Sequence, residues 1–421
     1  MLTRSRGTGG ARTARRCRLL VAGTLAALLP SLALGAVVSA GADTVRDQQM
    51  WVLNAIHATS AWAQSRGQGV TVAVIDSGVN PAVSDLAGSV RTGPDLSGVQ
   101  TSPSDPFWGV HGTWMASLIA GHGHDGGSAG ILGVAPAAKI LSIRVVTDQK
   151  DPGFEHYEQE PSARVQRALA KAIRYAVARH VSVISMSLGY GAASLPVRSA
   201  ILDALRAGVV VVASSGNSGA ESGARHRKPA PYSYPADYPG VLGVAAVSRS
   251  GAPAPFSSDN HSVEVAAPGV QVPAQGRDGQ YWLVSGTSPA CALTAGVVAL
   301  IKSRYPHLAP ALVVQAISGS TTDRPSGGYN DQIGFGTVDA ATALASAAQL
   351  MGGSHQRAGL TSAARFGGGP SAVAPVPVPP RGSGRLALYL ALGLASLVIV
   401  VAAGIRLLAI RRRPAPGAGP W

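Results

Sequence analysis

The feature that most restricts the fold is a series of short apolar runs without polar alternation. Residues 70–75 are apolar on both faces, the pattern of a parallel strand covered on both sides, and 138–146, 181–186 and 208–213 are further, mostly apolar strand runs. Helical patterns over 163–180 and 195–207 separate the last three of them. A β-α-β-α-β order with short joints predicts an α/β fold: a right-handed, mostly parallel central sheet with helices on both faces. Residues 241–247, 263–267 and 281–284 continue as strands, and 312–317 and 340–350 as helices. Residues 43–66, with Trp51, Ile56 and Trp62, form a short helical lead-in, and the folded body is expected to end near residue 350.

Chemistry in open α/β sheets gathers at the carboxyl ends of strands. The first run ends in Asp76-Ser77-Gly78-Val79. An aspartate there serves as a cap or turn residue, or as a fixed carboxylate that orients an imidazole. His111-Gly112-Thr113 opens a small-residue helix, where a histidine is either a satisfied surface group or a base. The run 208–213 leads into Ser215-Gly216-Asn217-Ser218. An asparagine between glycines is commonly a turn residue, and its amide can also donate to an oxygen that turns negative during reaction. Gly286-Thr287-Ser288-Pro289 precedes an apolar helical pattern. Proline fits the first helical turn, so Ser288 falls at the mouth of a buried helix. On that segment alone a helix cap is the simpler account. Asp76, His111, Ser288 and Asn217 together are the set a hydroxyl nucleophile needs: a base, an anion to fix the base's tautomer, and an oxyanion donor.

Other polar clusters are read more plainly. His122 and His124, in the Gly-rich stretch 121–130, are expected as satisfied surface histidines. The loop 147–161 carries Asp148, Asp151, Glu155, Glu158 and Glu160. It is expected to be a solvated surface loop, with a rim favouring basic substrate residues or a weak cation site as alternatives. It lacks the spacing of an ordered calcium loop. Arg225, His226, Arg227 and Lys228 form a basic loop expected at the surface.

The net charge of +14 sits at the ends of the chain. Residues 1–18 and 381–421 each carry six arginines and no acid, leaving 23 basic and 21 acidic residues between them. Such a distribution does not point to nucleic acid; basic residues beside apolar segments are membrane topology signals. Residues 1–42 have the basic, apolar and small-residue parts of a signal peptide, with cleavage expected before Asp43. Residues 351–385 are a Gly/Pro-rich linker. The stretch 386–405 has twenty residues and no charge, enough to cross a bilayer, and the arginines beyond it predict a cytoplasmic tail over 406–421. Localisation is thus expected at the cell membrane, single-pass, with the 43–350 domain outside. The two cysteines are Cys17, in the signal segment, and Cys291. No disulfide framework or cysteine metal site follows from them, and Cys291 is expected to pack as a small buried residue.

The motifs Val74-Ile75-Asp76-Ser77-Gly78-Val79, His111-Gly112-Thr113, Ser187-Leu188-Gly189, Ser215-Gly216-Asn217-Ser218, Ala266-Ala267-Pro268-Gly269 and Gly286-Thr287-Ser288 occur in this order. On them the chain resembles the subtilisin-like (S8) serine proteases from about residue 50 to 350. The resemblance implies a three-layer fold with Ser288 as nucleophile, His111 as general base and acid, Asp76 as its orienter, and Asn217 in the oxyanion hole. It also implies that Ser187, Leu188 and Gly189 pair with extended substrate backbone, with Tyr190 shaping the adjacent pocket. No cofactor and no metal is implied. Pro289 and Ala292 depart from the family, which places a larger apolar residue after the nucleophile and a proline further along the helix. Residues 43–50 are too few for the folded inhibitory chaperone of many secreted relatives. The signal peptide, linker and terminal span make the chain most similar to the mycosins, membrane-anchored proteases of actinobacterial type VII secretion systems. That similarity implies exported proteins as substrates and the secretion membrane complex as partner, although mycosins have disulfides that this chain cannot form. The alternatives are a non-catalytic scaffold of such a complex and a general cell-surface housekeeping protease.

Overall fold

The chain enters through α1 (Ala42–Ala55) and α2 (Ala58–Ala61) and then forms β1 (Thr71–Asp76), from which the sheet grows to both sides. The structure is a computed structural model and describes residues 42–160, 162–219, 230–353, 391–392, 394–398 and 400–406. After β1 come β2 (Val90–Asp95), α3 (Val110–Ala120), β3 (His122–His124), β4 (Ala129–Leu132) and β5 (Lys139–Arg144). The middle of the chain supplies α4 (Phe154–Glu158), α5 (Ser162–Ala178), β6 (Val183–Met186), α6 (Leu195–Arg206) and β7 (Val210–Ser214). Then follow β8 (Leu242–Val247), β9 (Val265–Pro268), β10 (Val272–Gln275), β11 (Tyr281–Val284), α7 (Thr287–Arg304), α8 (Pro310–Ser318) and α9 (Ala340–Gly353).

Seven strands form one sheet in the order β2-β5-β1-β6-β7-β8-β9. Every neighbouring pair in it is parallel, so the expected mostly parallel sheet is parallel throughout. β10 with β11 and β3 with β4 make two small antiparallel pairs. The order reverses around β1, because β5 returns on one side of it and β6 on the other. A reversal of this kind opens a crevice at the carboxyl ends of the strands.

Alternation along the strands divides the core. Val72 and Val74 of β1 face a layer containing α3 and α7, whereas Ala73 and Ile75 face α5 and α6. Burial on both faces explains why these strands are mostly apolar along their length. α7 is the central helix of its layer and is buried from Thr287 to Lys302, apart from the intermediate Ser288. A helix apolar on all sides belongs in a core, and truncating one of its leucines to alanine is expected to cost about 2–5 kcal/mol. Lys302 enters this core by donating its ammonium to the carbonyls of Pro306 (2.6 Å) and Leu308 (3.1 Å).

The acidic loop after β5 does not match the expectation of a solvated surface. Arg144 at the end of β5 is buried and needs anions. Asp151 turns inward to meet it at 2.7 Å, and Asp95 of β2 meets it at 2.6 Å. Asp148 also faces inward, while Glu155 and Glu158 remain exposed. The Gly-rich stretch also holds more structure than expected. His124 Nδ1 donates to the carboxylate of the buried Asp85 at 2.7 Å, and His122 contacts two backbone carbonyls. Arg46 of α1 caps the same stretch, reaching the carbonyls of Gly127, Ala129 and Gly130.

α9 runs to Gly353, three residues into the expected linker. Residues 1–41, 220–229 and 354–390 lie outside the described residues, and with them the expected signal segment, the basic loop 225–228 and most of the linker. The carboxyl segment from Arg357 is a separate unit, and its described residues between 391 and 406 are helical. Among the described residues no helix is long and apolar enough to cross a membrane.

Candidate active site

Asp76 is the last residue of β1 and 1% exposed, so its carboxylate is shielded from bulk solvent. Its Oδ1 accepts the Ser77 N–H at 2.7 Å and lies 2.8 Å from Nδ1 of His111. His111 reaches it because α3 presses against the turn after β1. A Cβ on Gly112 would collide with the carbonyl of Gly78, so only glycine permits that approach. The Gly112 N–H also donates to the Ser77 hydroxyl at 3.1 Å. With Nδ1 committed to Asp76, Nε2 is the nitrogen left to exchange a proton. The imidazole is 29% exposed. Burial alone would lower its pKa; the Asp76 charge and hydrogen bond, with the Asp148 charge, outweigh that and push it up to about 9.

Ser288 stands in the first turn of α7, behind Gly286, whose φ of 151° turns the chain out of β11 into the helix. The helix field there favours negative charge. Pro289 follows within the same turn, where N–H groups have no helical partner, so its missing donor leaves nothing unmade. The Ser288 N–H remains available as a donor in its own right. The Ser288 hydroxyl donates to the Ser187 carbonyl at 3.4 Å, and the Ser187 hydroxyl donates to the Ser288 carbonyl at 3.1 Å. This reciprocal pair ties the end of β6 to the head of α7.

Asn217 follows β7 and is oriented by Thr287. Its Oδ1 accepts the Thr287 N–H at 2.9 Å and the Thr287 hydroxyl at 3.0 Å. Nδ2 therefore points towards the Gly286–Ser288 turn, 3.6 Å from where a Cβ on Gly286 would stand. Thr287 was not singled out by sequence; its signal was its place directly before the serine.

The segment 187–190 divides into different roles. Leu188 is buried with its side chain in the core, so it presents only backbone outward. A Cβ on Gly189 would collide with the Ser233 hydroxyl. Tyr190 pairs with Tyr234 in an antiparallel bridge, with N–H to carbonyl distances of 2.7 and 2.9 Å. Its phenol is pushed well above its ordinary pKa by burial and by the neighbouring Tyr157 of α4. Tyr190 thus buttresses the segment against the acidic loop. Cys291, one turn into α7, is buried, and burial pushes its thiol up to about 11. It packs as the sequence predicts. Among the described residues no group of three or more His, Cys, Asp or Glu side chains is arranged to hold a metal.

A parallel α/β/α sandwich that brings an aspartate and a histidine into contact, and sets a serine and an asparagine at the head of a central helix, defines the subtilisin-like class of serine peptidase folds. Residues 67–336 match the model of the Subtilase family, Peptidase S8. The chain belongs to this family. It is 34% identical over 256 residues to the thermostable alkaline protease of Halalkalibacterium halodurans, covering 61% of this chain and 63% of that protein. It is 34% identical over 318 residues to mycosin-1 of Mycobacterium tuberculosis, covering 66% of this chain and 69% of mycosin-1. The solved structure of MycP3 protease from the type VII (ESX-3) secretion system superposes with a TM-score of 0.59 at 28% identity, over 70% of this chain and 87% of that one. The chain thus spans just under two thirds of the length of the alkaline protease.

Proposed function

We propose that this protein is a serine endopeptidase that hydrolyses peptide bonds through an acyl-enzyme. The observation that carries this reading is the 2.8 Å contact between Asp76 Oδ1 and His111 Nδ1. It leaves Nε2 as the ring nitrogen for proton transfer, on α3, which packs beside α7. As substrate enters, the Ser288 hydroxyl leaves the long contact to the Ser187 carbonyl and turns to Nε2. His111 takes the hydroxyl proton while Oγ attacks the carbonyl carbon, and the imidazolium is held by Asp76. The developing oxyanion is received by Asn217 Nδ2 and the Ser288 N–H. His111 then returns the proton to the leaving amine, and water repeats the sequence to release the acid. The edge at 187–189 offers backbone to an extended peptide, which favours general recognition with selectivity left to side-chain pockets.

The finer reading is a cell-membrane protease, anchored through residues 386–405 with its catalytic domain outside the cytoplasm. It is supported by the arginine-flanked apolar segments at both ends of the sequence. Similarity to mycosin-1 and to the MycP3 structure supports an association with a type VII secretion membrane complex and with exported proteins as substrates. The test is labelling by a fluorophosphonate probe in membranes of the producing cell. Wild type should be labelled and S288A should not; a folded wild-type protein that never labels would sink the peptidase reading.

A further inference from the structure

α3 carries the candidate base but has no capping side chain of its own. Its N-cap is Gly109, in a left-handed backbone conformation with φ 72°. The first N–H groups of a helix have no partner within it. Here the partner is Asp148, from the loop after β5. Oδ2 accepts the Val110 N–H at 2.8 Å, and Oδ1 accepts the His111 N–H at 3.2 Å. Asp148 therefore holds the first two N–H groups of α3, including that of His111 itself.

We propose that Asp148 is a positioning residue of this site, which fixes the backbone of His111 and adds a second negative charge to the field on its imidazole, thereby setting the pH range of catalysis. The proposal rests on the peptidase reading above. The charged groups that face Asp148 are His111 on α3 and Asp76 at the end of β1. Lys150, two residues on in its own loop, sits over the Phe107 ring at 5.8 Å.

The competing account is an ordinary stabilising cap, which would leave the titration of the His111 ring unmoved when the Asp148 charge is removed. Burial, the largest influence, raises the Asp148 carboxyl; the His111 charge and the Ser77 hydrogen bond lower it, Asp76 raises it, and the His111 N–H lowers it. The outcome is a carboxyl pushed up to about 6. An aspartate whose folded value lies above its unfolded value of about 3.9 favours the fold when protonated. That contribution is complete below the unfolded value and is lost as pH rises through about 6. At neutral pH the charged Asp148 is thus a burden on stability.

The field has a definite sign. A nearby anion favours imidazolium, so Asp148 raises the pH at which His111 becomes a base. In D148N, which keeps the shape and one acceptor oxygen, the rising limb of kcat/KM against pH should move to lower pH by about 0.5–1 unit. D148S, a second neutral variant, should move it the same way, and D148E, which keeps the charge, should leave the limb near wild type. NMR titration of the His111 ring in the full chain should show the same shift between wild type and D148N. An unmoved limb and an unmoved ring titration in D148N and D148S would overturn the proposal and leave Asp148 a cap. If wild type cleaves no peptide at any pH, the peptidase reading fails, while the ring titration still decides whether Asp148 sets the field on His111.

Discussion

The Thr287 N–H donates to Asn217 Oδ1 at 2.9 Å, across 70 residues of chain. This bond decides which end of the amide faces the Gly286–Ser288 turn. With its oxygen engaged by Thr287, the residue before Ser288, the asparagine has only Nδ2 to present to an oxyanion forming at the proposed site. Preorganisation of this kind costs nothing at the moment of reaction.

Removal of that donor should therefore lower kcat and leave KM nearly unchanged. N217A is expected to lose about 10²–10³ in kcat. It also strands the Thr287 N–H, so some stability goes with it, about 1 kcal/mol. N217D separates the two effects, because a carboxylate still accepts from Thr287 but has no N–H to offer. It should be as slow as N217A without the loss of stability. Steady-state kinetics and thermal melts on the three proteins check this; wild-type kcat in N217D would remove Asn217 from the mechanism.

Activity should rise with pH into the alkaline range. Burial lowers the His111 pKa, but Asp76 and Asp148 raise it further, to about 9. Imidazolium cannot accept the serine proton, so kcat/KM should climb towards that value. Stability should run the other way. A histidine raised above its unfolded value of about 6.5 contributes stability that is complete below that pH and is lost as pH rises through the folded value. The melting temperature should then fall between about pH 6.5 and 9 as activity grows. Paired melts and rate profiles test the linkage, and H111A should lack that slope in Tm.

Much of this site was legible in the sequence because its groups sit at the ends of strongly patterned elements. Residues 70–75 could only be a buried strand, so Asp76 had to fall at its carboxyl end. The apolar pattern after Pro289 placed Ser288 at the mouth of a helix, where it stands at the second helical residue. What stayed hidden was the direction of polar side chains in irregular chain. Asp148 and Asp151 looked like members of a solvated acidic loop, since composition does not reveal that a capless helix and a buried arginine lie beneath it. β2, with Arg91, Thr92, Gly93 and Pro94, was missed because it is an edge strand and largely open to water, so no hydrophobic period marks it. The hairpin of β3 and β4 was concealed by its glycines, and its order comes from Arg46 and Asp85, far away in sequence.

The Arg144 centre gives the last prediction. Its guanidinium is 2% exposed, paired with Asp151 (0% exposed) and with Asp95 (37% exposed), and it stands 5.7 Å from the Trp108 ring. Trp108 in turn packs on Gly78, where a Cβ would meet its ring at 2.7 Å, so the arginine supports the turn that follows Asp76. Replacement of one member of a buried pair leaves the other charged and unmatched, at a cost of about 3–5 kcal/mol. R144M should incur that cost, and most of it should come from Asp151, because Asp95 can turn to water. R144M/D151N should then recover much of the lost stability, whereas R144M/D95N should not. Denaturant melts of the four proteins measure the difference. If the D151N and D95N backgrounds rescue R144M equally, the burden is not the stranded Asp151 charge, and the arginine matters through its packing on Trp108 instead.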